Sequence, residues 1–526
     1  MKLKQTQIIL ISSLFFIIFD NYTFLTKTYE VFHNIPFVIS TAIVLNFVLV
    51  FLFSLILNKY TIKPILIILF LASSAVSYFS ITYGTIIDDK MIQNLIETDT
   101  KEVNDLLNIK LFLYVVILGI LPSYLLLKTK IQIQPIKKEI LDRIKLILIS
   151  LIIIAICLFS FSKSFTSFFR EHKTLRYYTN PTFYLYNLGK FINNKYFQKP
   201  LPFKQIGLDA KIIPSQKPKL IIFVLGEAAR YDHFSLNGYK RDTNPLLSKD
   251  NVISFLNLHS CGTETAISVP CMFSPYNKSD YSDKKAKSTE SVIDVLKHAG
   301  VNILWRDNDS GDKKVASRIK NYQDFNHANN PKYCNKDGCI DDVLFVGLDK
   351  WIKDINNSKP IFIVLHTKGS HGPAYYKRYP KQYEKFTPIC QTNQLQNCSQ
   401  KAVINTYDNT ILYTDHILDK TINFLKKYQN KYEVAMFYMA DHGESLGENG
   451  VYLHGLPYFI APDVQKHPAS FIWLSKNFDI NQTCLRKISK NNYTHDNLFS
   501  SILGLLGIKT KIYNKNQDIF AKCKIK

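Results

Sequence analysis

Five long apolar stretches crowd the first third of the chain, at roughly Ile8–Leu25, Phe37–Leu57, Pro64–Ile81, Leu111–Leu127 and Leu146–Phe161. Each is near the ~20 residues a helix needs to cross about 30 Å of hydrocarbon. A single run of this kind reads as a buried core helix, whereas five in succession, almost free of charge, read as a membrane domain. The first, preceded by Lys2 and Lys4, has the look of a signal peptide, but Asp20 and Asn21 follow without a small-residue cleavage site, so it is read as an uncleaved anchor.

Loop charges orient these spans. Lys128, Lys130, Lys137, Lys138, Arg143 and Lys145 separate the fourth and fifth, and Lys59 and Lys63 the second and third, so these loops and the N-terminus are expected in the cytoplasm. The loop after the third span carries Asp88, Asp89, Glu97, Asp99, Glu102 and Asp105 and reads as external. Five spans starting inside then deliver everything beyond residue 165 to the outside. Eight of nine cysteines fall there, as expected for an oxidising compartment. Cys261/Cys271, Cys334/Cys339 and Cys390/Cys398 are close in sequence, and Cys484/Cys523 complete a fourth pair by elimination. No pair has a second at zinc-finger spacing.

The expected organisation is a transmembrane domain over residues 1–164, an aromatic and basic connector over 165–215, and an external domain over 216–526. Connector aromatics such as Phe165, Phe168, Tyr177 and Tyr184, interleaved with basic residues, suit a segment lying along lipid headgroups. Beyond Pro218, short apolar runs alternate with amphipathic stretches. Strands are expected at Leu220–Leu225, Val301–Trp305, Ile361–His366, Val434–Met439 and Phe471–Leu474. Helices are expected near Ser288–His298, Asp342–Ile352, Ala402–Tyr428 and Asp496–Leu506. This alternation predicts an α/β domain with a mainly parallel sheet, whose chemistry collects at the carboxyl ends of the strands.

Polar residues stand at those ends: Gly226-Glu227, His366 followed by Ser370-His371-Gly372, and Ala440-Asp441-His442-Gly443. An Asp-His pair closing an apolar strand is either a structural hydrogen bond or a metal-ligand pair. Hard carboxylate oxygens with one imidazole suit zinc, manganese or magnesium. The hydroxyl-rich stretch Ser260–Cys271, with Thr263, Thr265 and Ser268, tips the reading toward a metal. A divalent ion lets a threonine hydroxyl ionise near neutral pH and attack phosphorus.

Gly226-Glu227-Ala228-Ala229-Arg230, His233-Phe234-Ser235-Leu236-Asn237-Gly238-Tyr239, Ser260–Ser274 and Asp441-His442-Gly443-Glu444-Ser445-Leu446-Gly447 resemble the lipid A phosphoethanolamine transferases. That family includes the mobile colistin-resistance enzymes and belongs to the alkaline phosphatase superfamily. The resemblance implies a zinc-dependent inner-membrane enzyme with an alkaline phosphatase/sulfatase-like periplasmic domain. It would move phosphoethanolamine from phosphatidylethanolamine to lipid A, and its presence would bear on polymyxin resistance. It implies Glu227, Thr265, Asp441 and His442 as ligands of a catalytic zinc, leaving a second zinc open, and Thr265 as the nucleophile. It implies His371 and His454 as phosphate- or second-metal-binding histidines with acid or base roles. Lys313 is implied as a phosphate contact, and Asn94, Thr98 and Glu102 as a segment holding the lipid donor. From the residues alone, Lys313 also reads as a solvated charge, His454 as a loop cap and the triplet as a polar helix face.

The sequence departs from the family at Ala228, where threonine is common, at Asp312 and Ala316, where some relatives have cysteines, and at Asp309, where an amide stands in some. Glu264 adds a carboxylate beside Thr265. Alternative readings are transfer to another envelope acceptor (core oligosaccharide, glycan or surface protein), or a phosphoglycerol transferase or sulfatase-type hydrolase. The net charge of +23 suits phosphate-bearing lipids. It would suit nucleic acid equally, but the expected topology removes that partner.

Overall fold

The computed structural model describes residues 2–97, 103, 105–199, 201–326, 328–355 and 358–525. The chain divides into two compact units: one takes Met1–Ile92 and Leu107–Phe197, the other Gln93–Leu106 and Gln198–Lys526.

The first unit is helical: α1 (Gln5–Phe15), α2 (Tyr22–Phe32), α3 (Ile35–Ile56), α4 (Ile62–Tyr83), α5 (Ile109–Lys128) and α6 (Ile136–Ser160). The last four are long and apolar enough to cross a membrane, and a fifth span is reached if the pair Gln5–Asp20 and Tyr22–Phe32 counts as one. That pair is bent by 62°. The break falls at Asn21, whose amide donates to the carbonyls of Phe16 (2.9 Å) and Asn180 (2.6 Å) and whose Oδ1 accepts from Asn180 N (2.9 Å). The first of these bonds satisfies a carbonyl that a continuous helix would have paired, and the other two tie the break to Asn180. The apolar run expected as a single straight span is therefore two helix segments. The helix expected from Leu146 begins ten residues earlier, so Lys137, Lys138, Arg143 and Lys145 ride its first turns and are not in a loop. Arg143 is accommodated there by Glu139 (3.0 Å) and the Ser54 carbonyl (2.9 Å).

The second unit is built on a seven-stranded sheet: β1 (Lys219–Gly226), β2 (Ile253–Ser254), β3 (Asn302–Asp307), β4 (Tyr322–Asp324), β5 (Ile361–His366), β6 (Glu433–Ala440) and β7 (Ser470–Leu474). The strand order is β2-β7-β6-β1-β5-β3-β4. The five strands from β6 to β4 are parallel; β7 runs antiparallel to β6, and β2 antiparallel to β7, at one edge. All five expected strands are present, and the short edges β2 and β4 add to them. Along β1, Ile221, Phe223 and Leu225 face one apolar layer, while Leu220, Ile222 and Val224 face the other. This is the pattern of a strand buried on both faces.

The long helix Gln400–Lys426 closes one face, and Val292–Ala299 and Leu498–Leu505 lie in the opposite layer. The helix expected at Asp342–Ile352 is instead a short 3₁₀ segment, Asp341–Phe345, followed by Leu348–Asp354. Gly347, with φ of +71°, separates them, because a left-handed residue cannot continue a right-handed helix.

Candidate active site

Strand register assembles the site. Gly226 of β1 pairs with Ala440 of β6, so Glu227 and Asp441 leave the sheet side by side. On the other flank, His366 at the end of β5 pairs with Leu225 of β1 and Asp307 of β3. Asp441 is pinned as it emerges: its Oδ1 accepts from the backbone N–H of Ala228 (3.2 Å) and His442 (2.8 Å). Ala228 adopts φ of +52°, an uncommon conformation for a residue with a Cβ. Tyr407 holds this turn, donating its hydroxyl to Ala228 O (2.7 Å) and accepting from Arg230 N (2.9 Å).

Thr265 is the first residue of the helix Thr265–Met272, whose N-terminal N–H groups and dipole favour negative charge. The Cys261–Cys271 disulfide brackets this segment. The Thr265 hydroxyl donates to Glu227 Oε2 (2.9 Å) and lies 3.4 Å from His442 Nε2. His442 Nδ1 lies 2.8 Å from the Gly443 carbonyl, which as acceptor places the proton on Nδ1 and directs the Nε2 lone pair inward. That nitrogen is 3.2 Å from Glu227 Oε1 and 3.3 Å from Asp441 Oδ2. Glu227, Asp441 and His442 are wholly buried, and neither Glu227 Oε1 nor Asp441 Oδ2 accepts a hydrogen bond.

Two carboxylates so close in a dry site demand a cation. Burial, and then the neighbouring Glu227, raise the Asp441 carboxyl above its ordinary range. Burial opposes a charged His442, but Asp441 and Glu227 outweigh it and push the imidazole up to about 10. A metal ion answers the same demand. Three hard oxygens, counting the Thr265 hydroxyl, and one oriented imidazole fit a divalent ion of the zinc or manganese type.

A second ring of polar groups borders this centre. The His454 ring lies 4.2 Å from that of His442 and 5.4 Å from that of His371. Glu227, His442 and His454 place ligand atoms within 4.8 Å of one another. His454 Nδ1 is 3.3 Å from Glu444 Oε2. Glu444 is fully buried, and burial above all pushes its carboxyl up to about 8.

A family model described as Sulfatase matches residues 219–508, and one described as Phosphoethanolamine transferase EptA/EptB matches residues 45–196. The chain is 44% identical to phosphoethanolamine transferase EptA of Salmonella typhimurium, over 86% of this chain and 84% of that protein. It is 41% identical to phosphatidylethanolamine transferase Mcr-1 of Escherichia coli, over 93% and 92%. The integral membrane lipooligosaccharide phosphoethanolamine transferase A of Neisseria meningitidis superposes over all of both chains, with a TM-score of 0.96 at 34% identity. The chain belongs to the phosphoethanolamine transferase family.

The transferase is thus an enzyme with a multi-pass helical unit and a sulfatase-type α/β unit. Its fold brings Glu227, Thr265, Asp441 and His442 into one cluster, with His454 and His371 beside it. Lys313, at φ of +48°, turns its amine onto the Ser310 carbonyl of its own loop (2.9 Å). Asn94 lies on the helix Asp89–Glu97, and Glu97 pairs with Lys287 (3.2 Å). Thr98 and Glu102 lie outside the described residues. All four cysteine pairs expected from sequence are disulfides, and Cys157 is a free thiol.

Sequence reasoning passed over Asp307, Tyr407, Glu444 and Arg378 as site residues. Asp307 and Glu444 stood at strand ends beside residues that were singled out, which is a usable signal. Tyr407 and Arg378, whose Nε donates to the His371 carbonyl (2.8 Å), carried none, being ordinary residues whose roles depend on what they touch.

Proposed function

We propose that the transferase moves phosphoethanolamine from phosphatidylethanolamine to lipid A, on a phosphate or sugar hydroxyl, through a covalent ester on Thr265. The observation that carries this reading is the Thr265 hydroxyl, at a helix N-terminus and 2.9 Å from Glu227 Oε2, beside two buried carboxylate oxygens, Glu227 Oε1 and Asp441 Oδ2, that accept no hydrogen bond.

Glu227, Thr265, Asp441 and His442 would hold zinc. When bound, the ion lowers the hydroxyl's pKa and offsets charge on the phosphoryl oxygens. Glu227 Oε2 orients the Thr265 hydroxyl and accepts its proton. Thr265 Oγ1 then bonds to phosphorus as the phosphorus–oxygen bond to diacylglycerol breaks, and the leaving oxygen takes up a proton. In the second half-reaction the acceptor oxygen displaces Thr265 Oγ1 from phosphorus. His454, oriented by Glu444, and His371 are placed to donate or accept the travelling proton. The dipole of the Thr265–Met272 helix, whose N-terminus carries Thr265, favours the developing negative charge. Asn94, Thr98, Glu102 and Lys313 are assigned to binding the donor and its phosphate, with the α/β unit on the periplasmic face of the inner membrane.

The test is mass spectrometry of lipid A and of the protein, in a host lacking its own transferases. Wild type should add phosphoethanolamine to lipid A, and a peptide containing Thr265 should carry the same increment when the acceptor is withheld. The Thr265→Ala variant should fold and transfer nothing. Substantial transfer by that variant would overturn the mechanism, and an increment on another envelope glycan would move the acceptor.

A further inference from the structure

We propose that the transferase binds a second divalent cation, in a site formed by Glu227, Asp309 and His366 that shares Glu227 with the first. This rests on the reading that Glu227, Thr265, Asp441 and His442 hold an ion.

One ligand atom from each of the three residues lies within 4.8 Å of the other two. All three side chains are buried, at 0%, 2% and 0% exposure. The arrangement around His366 is that of a metal-ligating histidine. Its Nδ1 lies 2.8 Å from Asp307 Oδ2, which also accepts from Trp305 Nε1 (2.9 Å). Asp307 Oδ1 accepts from the backbone N–H groups of Asp309 (3.0 Å) and Gly311 (3.1 Å). Four donors therefore hold Asp307 as an anion, and it in turn holds the imidazole with its proton on Nδ1. A carboxylate that fixes one ring nitrogen so the other can ligate is the common outer support of bound metals.

The other nitrogen, Nε2, is fully buried and has no hydrogen-bond partner. It faces Asp309 Oδ2 at 3.8 Å, too long for a hydrogen bond. Two nitrogen or oxygen donors on one tetrahedral ion at about 2.0–2.2 Å lie roughly 3.3–3.6 Å apart, so a shift of a few tenths of an ångström brings this pair to the span of a shared ion. Glu227 Oε1 is likewise buried without a hydrogen bond. Two carboxylates and one imidazole suit zinc or manganese better than magnesium. Asp309 is the residue whose identity decides the site: an amide there would keep the shape and remove an anionic ligand. The rival arrangement is a protonated His366 bridging Asp307 and Asp309, with no second ion.

The full-length protein in detergent, equilibrated with zinc and then desalted, tests this by elemental analysis. Wild type should retain two equivalents and Asp309→Asn one, with His366→Gln matching Asp309→Asn. In manganese-loaded protein, the paramagnetic resonance spectrum should show a coupled ion pair in wild type and an isolated ion in Asp309→Asn. One equivalent in wild type at saturating zinc, or Asp309→Asn retaining two, would overturn the proposal in favour of the protonated histidine. His442→Ala reports separately on the first site: it should lose that ion, and an unchanged metal content there would sink the primary ligand set.

Discussion

Arg378 and Asp105 form a buried ion pair, Nη2 to Oδ2 at 3.0 Å, between positions 273 residues apart in sequence. The same guanidinium donates through Nε to the His371 carbonyl (2.8 Å), and Lys377 reinforces the aspartate from its other oxygen (2.6 Å). Asp105 belongs to the segment that leaves the helical unit and joins the α/β unit. One arginine thus ties that segment to the backbone of a histidine at the active site. Asp105→Asn removes the charge and leaves the buried Arg378 underpaired, whereas the half-buried Lys377 keeps Asp337 (3.1 Å), at a cost of about 1–3 kcal/mol. Its melting temperature and its turnover should both fall, with metal content unchanged. A variant with wild-type turnover would show that His371 needs no such support.

Gly369 sits at φ of +49°, where a Cβ would lie 2.8 Å from the Glu227 carbonyl oxygen and 3.1 Å from its nitrogen. That carbonyl already accepts from Ser370 N (3.0 Å). Gly369→Ala should displace the backbone of Glu227, lowering zinc affinity and turnover at least tenfold while circular dichroism stays native. Titration of the variant against a chromogenic zinc chelator measures this.

Stability of the metal-free protein should fall as pH rises from about 6.5 to 9. Asp307 and its neighbours overcome burial to push His366 up to about 9, His442 reaches about 10, and burial raises Glu444 to about 8. In this window the folded chain keeps protons that the unfolded chain has released, so stability declines with pH. A divalent ion held as proposed would replace protons at His442 and His366, so the loaded protein should show a flatter profile. Melting temperatures at several pH values, with and without a chelator, check both curves.

The Cys261–Cys271 disulfide closes a short loop around Thr265. Replacing both cysteines by serine should cost about 2–3 kcal/mol from loop closure alone. It should also lower turnover more than removal of Cys334–Cys339, which closes a small hairpin that does not contain the nucleophile. Equal turnover losses in the two double variants would show that the first bridge does not position Thr265.

What the sequence determined by itself is whatever has a local signal. Mean hydropathy over about 20 residues marks a span, a short β-branched run marks a buried strand, and polar residues stopping that run mark its carboxyl end. Glu227, Asp441 and His442 were legible for that reason, and Thr265 through its hydroxyl-rich neighbourhood and a family resemblance. What only the tertiary structure decided is which distant groups meet. Sheet order set β5 between β1 and β3, so His366 met Asp307, 59 residues away, and turned its free nitrogen to Asp309 and Glu227. The Asn21–Asn180 pair broke a helix that hydropathy left continuous. Hydropathy records the average solvent a segment prefers, whereas hydrogen bonds and ligand sets depend on register and packing between segments, which a linear pattern does not contain.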